Sequence, residues 1–339
     1  MPGLTSPGRC GIITGTLPCK GTRRPMVLHN LWVTMRPKQW TKNVFVFGGI
    51  VFARELFLWT ALVKAVIAFS LFCMVSSAVY LINDVVDRDR DRMHPVKRNR
   101  PLASGRLQPA PAIVTAALLT LIALPLGFLL NVPFEGTLNL PFGLSLSGYF
   151  LLMLAYSFLL KNIVILDIFS IAAGFVLRAV GGALAIPVFI SPWLLVCTVL
   201  LSLFLGLAKR RHELVLLNND ARHHRGILRE YSPALLEEMI SVVTASTVMA
   251  YSLYTFYPFF AHGEEDRARY PYMMFTIPFV IYAIFRYLYL VYQKEGGGSP
   301  EEVLLGDPPF LVNILLWGIC VLVILYFDQI RAMLGAIVP

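Results

Sequence analysis

The chain has 339 residues, of which 57% are hydrophobic and 14% charged; 29 basic residues stand against 20 acidic ones, a net charge of +9. A soluble globular domain carries about 25% charged residues, so the composition excludes an ordinary water-soluble enzyme and points to a membrane-embedded chain. The positive balance does not argue for nucleic acid, because the basic residues flank apolar runs, a placement that suits membrane anchoring and capture of anionic substrates.

In chain order, residues 1–25 are rich in Pro, Gly, Thr and basic residues and lack a continuous apolar stretch. They are expected to form a disordered tail and do not read as a signal peptide. Next comes Arg36-Pro37-Lys38-Gln39-Trp40-Thr41-Lys42-Asn43. This segment suits an interfacial anchor, and it equally suits Lys42 and Asn43 reaching into a cavity from the end of the first span. Apolar runs long enough to cross a hydrocarbon core then predict nine helices, over 42–58, 61–84, 110–131, 142–160, 164–186, 192–208, 239–261, 272–293 and 309–330. The expected fold is therefore all-α, a polytopic bundle with no soluble second domain. Its two most basic connections both follow even-numbered spans, after the second (Arg88 to Arg106) and after the sixth (Lys209 to Arg229). The positive-inside rule puts both, with the N-terminus, on the cytoplasmic side, and makes any cavity between them cytoplasm-facing.

The second span ends in Asn83-Asp84-Val85-Val86-Asp87-Arg88-Asp89-Arg90-Asp91. On a helix Asn83, Asp84, Asp87 and Asp91 share one face within an arc of roughly 100°, while Asp89 points away. A charge at bilayer depth costs about 2.5–3.5 kcal/mol, so such a cluster marks the mouth or interior of a functional cavity. Oxygen ligands on one face suit a hard cation, and magnesium commonly takes one or two carboxylates together with substrate phosphate oxygens. The expectation is a Mg²⁺ held by Asp84, Asp87 and Asp91 with a diphosphate substrate.

The loop that follows, His94 to Gly105, offers Lys97 and Arg100 as phosphate grips, although setting topology alone would also explain its charge. The fourth span ends in Tyr156-Ser157-Phe158-Leu159-Leu160-Lys161. In the fifth, Asp167, Gly174 and Arg178 fall on one face; they read either as a polar stripe lining a site or as part of an Asp–Arg pair across the bundle. Lys209-Arg210-Arg211-His212-Glu213 leaves the sixth span on the same side. Tyr251, Tyr254 and Tyr257 recur at i, i+3, i+6 and are expected to pack the bundle. Cys73, Cys197 and Cys320 stand alone in apolar spans, and Cys10 and Cys19 lie in the tail without ligand partners, so no disulfide framework or zinc site is expected. No P-loop, zinc-spaced His pair or Ser-His-Asp order is present. Metal-assisted departure of diphosphate asks for little general-base help and fits that inventory.

Together these residues resemble the UbiA-type intramembrane prenyltransferase superfamily, whose NDxxDxxxD run matches Asn83, Asp84, Asp87 and Asp91. Within it the chain resembles the decaprenyl-phosphate phosphoribosyltransferase branch. The carrying segments are Arg36 to Asn43, His94 to Gly105, Tyr156 to Lys161 with Asp167, Gly174 to Arg178, and Lys209 to Glu213. The resemblance spans about residues 27–330 and implies a single transmembrane domain over 26–335. It implies a catalytic set of Asp84, Asp87, Asp91, Lys42 and Asp167, and a substrate-binding set of Asn43, Asn83, Lys97, Arg100, Tyr156, Lys161, Arg178, Lys209 and Arg210. One departure stands out: Ile171 occupies the second position of the DxxxD motif that aromatic prenyltransferases carry.

The implied activity is Mg²⁺-dependent transfer of 5-phosphoribose from phosphoribosyl diphosphate (PRPP) to a polyprenyl phosphate in a bacterial inner membrane, feeding arabinose donors for the cell wall. Homo-oligomerisation is compatible with this reading. Prenyl transfer to an aromatic or quinone-precursor acceptor is the alternative. A transporter is disfavoured, because the polar residues gather at helix ends and not at the midplane.

Overall fold

The computed structural model describes residues 23–217, 230–260, 272–293, 303 and 306–335. Arg222, Arg225, Arg229, the Gly296–Pro300 linker, His262 to Tyr270 and residues 1–22 lie outside these, as do Cys10 and Cys19. Among the described residues there are helices and turns but no strand. Among them, eight helices are long and apolar enough to cross a bilayer. In chain order the elements are α1 (Arg23–Met35), a 3₁₀ segment (Pro37–Phe47), α2 (Gly48–Phe52), α3 (Trp59–Val86), α4 (Arg88–Met93), α5 (Pro109–Phe128), α6 (Val132–Glu135), α7 (Leu140–Phe158), α8 (Leu166–Ala185), α9 (Pro192–Leu217), α10 (Pro233–Phe260), α11 (Ile277–Gln293) and α12 (Pro308–Gly335). Residues 23–25, expected in the tail, open α1.

The first span differs in kind from its expectation as a continuous helix over 42–58. It is a 3₁₀ run of 11 residues followed by the five-residue α2. It still runs the length of α3 in the opposite sense: Arg36 meets Asp84, Trp40 meets Ser77, Asn43 meets Cys73 and Ser76, and Phe47 meets Phe69. A 3₁₀ helix rises about 2.0 Å per residue against about 1.5 Å for an α-helix, so these 16 residues extend about 30 Å, the thickness of a hydrocarbon core. The described residues thus make about nine passages, one of them drawn thin. The cause lies in α8, where Gly182 and Ala183 pack directly on the backbone of Val46 and on Gly49. Irregular backbone at membrane depth is tolerated where it is buried in protein or lines a cavity, and this segment does both.

The second difference is at α9. The expected exit segment Lys209 to Glu213 is not a loop; it forms the continuation of that helix, which runs to Leu217. Its charges can stay helical because Arg210 finds Asp167 and Glu213 as partners.

The core divides into layers that frame a central space. Phe72, Phe142, Leu146 and Tyr149 pack α3 against α7 and Val46. Leu203, Phe204, Leu207, Ile240 and Tyr287 join α9, α10 and α11 with Ile168 of α8. At the acidic end, Leu102 and Leu107 fold the loop after α4 back onto Ala78, Leu81 and Ala112. Gly105, at φ 79°, provides the turn that permits this return. At the other end Lys64 pairs with Glu135, whose carboxylate also accepts from Asn131, and Asn139 caps α7 at Phe142.

Candidate active site

A cavity of about 1710 Å³ runs through the bundle between the first passage and α3, α7, α8, α9 and the last three helices. One end is polar, bordered by Asn83, Asp87, Asp91, Lys97, Arg100 and Lys161; the rest is mostly apolar, with Phe45, Ile171, Leu201, Tyr254 and Trp317 on its walls.

The acidic face forms as expected, with one refinement. Asp87 closes α3 at φ −90°, ψ 3°, and α4 restarts at Arg88, with the Asp91 N–H donating to the Asp87 carbonyl at 2.8 Å. This small break leaves Asp84, Asp87 and Asp91 on one side, while Asp89 keeps 88% of its side chain exposed. Each of the three carboxylates meets a cation from a different segment. Lys161 Nζ donates to Asp87 at 2.6 Å, and Arg100 Nη1 donates to Asp91 at 2.5 Å and to Asp84 at 3.3 Å. Arg36 also donates to Asp84, with its guanidinium over the Tyr80 ring. Arg36 reaches there from a left-handed backbone conformation at φ 54°, the kind of strain that persists where surrounding contacts over-determine it.

Asp87 and Asp91 border the cavity, whereas Asp84 is 2% exposed beneath its two arginines. No three His, Cys, Asp or Glu side chains converge at metal-ligand spacing among the described residues. Two cavity-facing carboxylates nevertheless fit a magnesium ion, which takes its remaining oxygens from phosphate and water.

Lys42, Asn83, Tyr156, Lys161, Arg178 and Lys209 line the cavity, as do Lys97 and Arg100. Asn43 is fully buried behind the wall and holds Arg178. Asp167 and Arg210 are brought together elsewhere. Arg210 Nε donates to Asp167 Oδ2 at 2.6 Å, Tyr231 donates to Oδ1 at 2.9 Å, and Asp167 is fully buried. The Asp–Arg pair across the bundle is therefore what Asp167 makes, with Arg210 of α9 as partner.

The same Tyr231 hydroxyl accepts the N–H of Ile165 at 2.7 Å and fixes that residue at φ 69°. Asp167 thus anchors the turn that carries Lys161 to Asp87. Burial pushes the Tyr231 phenol up to about 12, with the Asp167 carboxylate adding to the rise.

Besides Tyr231, two groups were not singled out by the sequence. Tyr149 accounts for one, since its hydroxyl accepts from Arg178 at 2.6 Å; nothing in its spacing separates it from a packing tyrosine. Arg36 is the other; it opens the Arg36 to Asn43 segment, and only its left-handed backbone and its contact with Asp84 set it apart from an interfacial anchor. Tyr251 and Tyr254 pack as expected but also border the cavity, with Tyr251 bonded to Thr276 and Trp317; the side chain of Tyr257 lies outside the described residues.

Residues 43–314 match the UbiA prenyltransferase family. The chain belongs to that family. It is 34% identical over 294 residues to the decaprenyl-phosphate phosphoribosyltransferase of Corynebacterium glutamicum, covering 86% of this chain and 85% of that protein. It is 32% identical over 296 residues to the Mycobacterium tuberculosis protein of the same name, covering 84% and 90%. Among solved structures, a UbiA homologue from Archaeoglobus fulgidus bound to GPP and Mg²⁺ superposes with a TM-score of 0.63 at 17% identity, over 86% of this chain and 99% of that one. The protein is thus an integral membrane transferase of the UbiA family, similar in sequence to the decaprenyl-phosphate phosphoribosyltransferase branch.

Proposed function

We propose that this UbiA-family transferase moves 5-phosphoribose from PRPP to a polyprenyl phosphate, releasing diphosphate. The observation that carries the reading is the division of one cavity into an end with carboxylates and several phosphate-gripping cations and a long apolar remainder. A multiply charged sugar donor suits the first, and an isoprenoid chain suits the second. The similarity to proteins named decaprenyl-phosphate phosphoribosyltransferase points the same way.

Asp87 and Asp91 would hold Mg²⁺, which neutralises charge on the departing diphosphate when bound. Lys161, Arg100 and Lys97 bind phosphate oxygens, and Asp84 orients Arg36 and Arg100. An oxygen of the acceptor phosphate attacks the anomeric carbon as its bond to the diphosphate oxygen breaks. The diphosphate leaves with the bonding pair. The nucleophile is already anionic, so no side chain need take a proton from it. The apolar walls exclude water, which would otherwise hydrolyse the donor. Clustered basic residues at the acidic end support placing it on the cytoplasmic side of a bacterial inner membrane.

Membranes containing the protein, incubated with PRPP labelled in the ribose, polyprenyl phosphate and Mg²⁺, should yield a labelled lipid. Label remaining water-soluble while a prenyl diphosphate is consumed with an aromatic acceptor would overturn the reading in favour of prenyl transfer.

A further inference from the structure

We propose that Arg178 is the charge of a second anion subsite, deeper in the cavity than the aspartates, and that it takes the phosphate of the lipid acceptor. This rests on the reading of the cavity given above and assigns one substrate group to one residue.

Arg178 is 5% exposed and borders the cavity. Its Nε donates to Asn43 Oδ1 at 2.7 Å, Nη1 to the Gly174 carbonyl at 3.0 Å, and Nη2 to the Tyr149 hydroxyl at 2.6 Å. The guanidinium carbon lies 4.6 Å from the Tyr149 ring centroid and 5.2 Å from that of Phe175. Every one of these partners is neutral. Among the described residues no carboxylate lies within ion-pair distance of Arg178. Three other buried cations differ on this point: Lys64 has Glu135, Lys161 has Asp87, and Arg210 has Asp167. A buried charge is normally paired with an opposite one, and the neutral partners of Arg178 leave its charge to be balanced by an anion in the cavity it borders. A guanidinium carries five N–H donors; three are used, which leaves one on each terminal nitrogen for a phosphate.

Depth decides which anion. Asn43, which holds Arg178, bonds to Cys73 and Ser76 of α3, whereas the cavity-facing carboxylates assigned to the metal and diphosphate begin at Asp87. Eleven to fourteen residues separate the two levels, about 16–21 Å along the axis. That interval accommodates a diphosphate, a ribose ring and a second phosphate in line. Phe175 lies against the Arg178 guanidinium and Phe45 packs on Phe175, and both rings border the cavity. An anion lodged there should be attached to an apolar chain, which favours the lipid phosphate over the 5-phosphate of the donor. Asn43 acts through Arg178 and is a positioning residue.

The test varies each substrate separately for the full-length protein in membranes. Arg178→Gln should raise the KM for polyprenyl phosphate at least tenfold and leave the KM for PRPP within about twofold. Asn43→Asp keeps the guanidinium, preserves the side-chain shape, and places a carboxylate where Arg178 already donates. It should raise the lipid KM by competing with the phosphate, whereas a purely structural pairing would leave that KM alone. Asn43→Asp also serves if Arg178→Gln fails to insert. A rise in the PRPP KM alone would assign Arg178 to the 5-phosphate and overturn the proposal, and so would an unmoved lipid KM in Asn43→Asp. Wild-type turnover is measured first: absence of a PRPP-derived lipid overturns the underlying reading, whereas turnover with unmoved KM values overturns the subsite alone.

Discussion

Replacing Gly182 by Ala tests whether the thin first passage must lie against α8. A Cβ built on Gly182 would sit 1.9 Å from the Val46 carbonyl oxygen and 2.6 Å and 2.8 Å from two further backbone atoms of Val46. Ordinary contact begins at 3.4 Å, so the two backbones must part by about 1.5 Å. No side chain can yield here, because the obstructing atoms are main chain. Asn43 lies three residues before Val46, and its partner Arg178 lies four before Gly182, so the displacement falls on the bond between them. Overpacking of this kind costs about 1–3 kcal/mol of stability. A misplacement of about 1 Å in a reacting site can cost about 100-fold in rate. Gly182→Ala should therefore insert in the membrane, melt lower in detergent, and lose about 100-fold in the proposed phosphoribosyl transfer from labelled PRPP. Gly148→Ala is the control, since its Cβ would meet nothing within 4 Å. Activity of Gly182→Ala within twofold of wild type, with the same melting temperature, would refute the claim that close backbone approach shapes the site.

The remaining expectations concern the charged groups. Asp87→Asn should raise the Mg²⁺ concentration for half-maximal activity, and chelation should abolish turnover until Mg²⁺ is restored. Asp167→Asn should lower kcat with the Mg²⁺ requirement unchanged, because Asp167 holds Arg210 and Tyr231; a matching shift in Mg²⁺ dependence would make it a metal ligand instead. The Tyr231 phenol titrates near 12 when folded and about 10 when unfolded, so its contribution to stability is full below pH 10 and lost as pH rises toward 12. Melting temperatures across that window should fall more steeply for wild type than for Tyr231→Phe. Glu135→Gln leaves buried Lys64 without its carboxylate and should destabilise the protein by about 1–2 kcal/mol. That is less than a fully buried pair would lose, because Glu135 keeps 46% of its side chain exposed; chemical denaturation in detergent measures it.

The long spans after the first, the acidic face and the cavity position of ten of the fourteen candidate site residues were legible because each leaves a local pattern. Long apolar runs set the spans, and the i, i+4 spacing of Asp87 and Asp91 sets a shared face. The 3₁₀ passage was not legible, since residues 42–58 read as apolar at any helical pitch and only contact with Gly182 thins them. Asp167 was misleading for a related reason. Its 11-residue spacing to Arg178 placed both on one face, but the two sit at different depths, and Arg210, 43 residues on, reached Asp167 first. Pairing across such distances depends on how α8 and α9 cross, which no single helix records. Tyr231 illustrates the same limit: it lies outside any motif yet completes the anchor of Asp167 and Ile165.

The acidic end also accounts for how a site built for phosphates can exist before they arrive. Three carboxylates face three cations there, Asp84 with Arg36 and Arg100, Asp91 with Arg100, and Asp87 with Lys161. An array of three unpaired carboxylates at this depth would carry a large desolvation cost, and so would an array of free cations. Matched, they neutralise one another. On the proposed reading, a metal–diphosphate substrate offers a replacement for each half of the array: carboxylates turn to the metal, and Lys161 and Arg100 turn to phosphate oxygens. Both halves stay compensated throughout the exchange. Substituting Lys161 alone should then weaken PRPP binding twice over, by removing a phosphate grip and by leaving Asp87 uncompensated in the empty cavity. Among the described residues Arg178 has no carboxylate partner to exchange, so an arriving anion there displaces no ion pair.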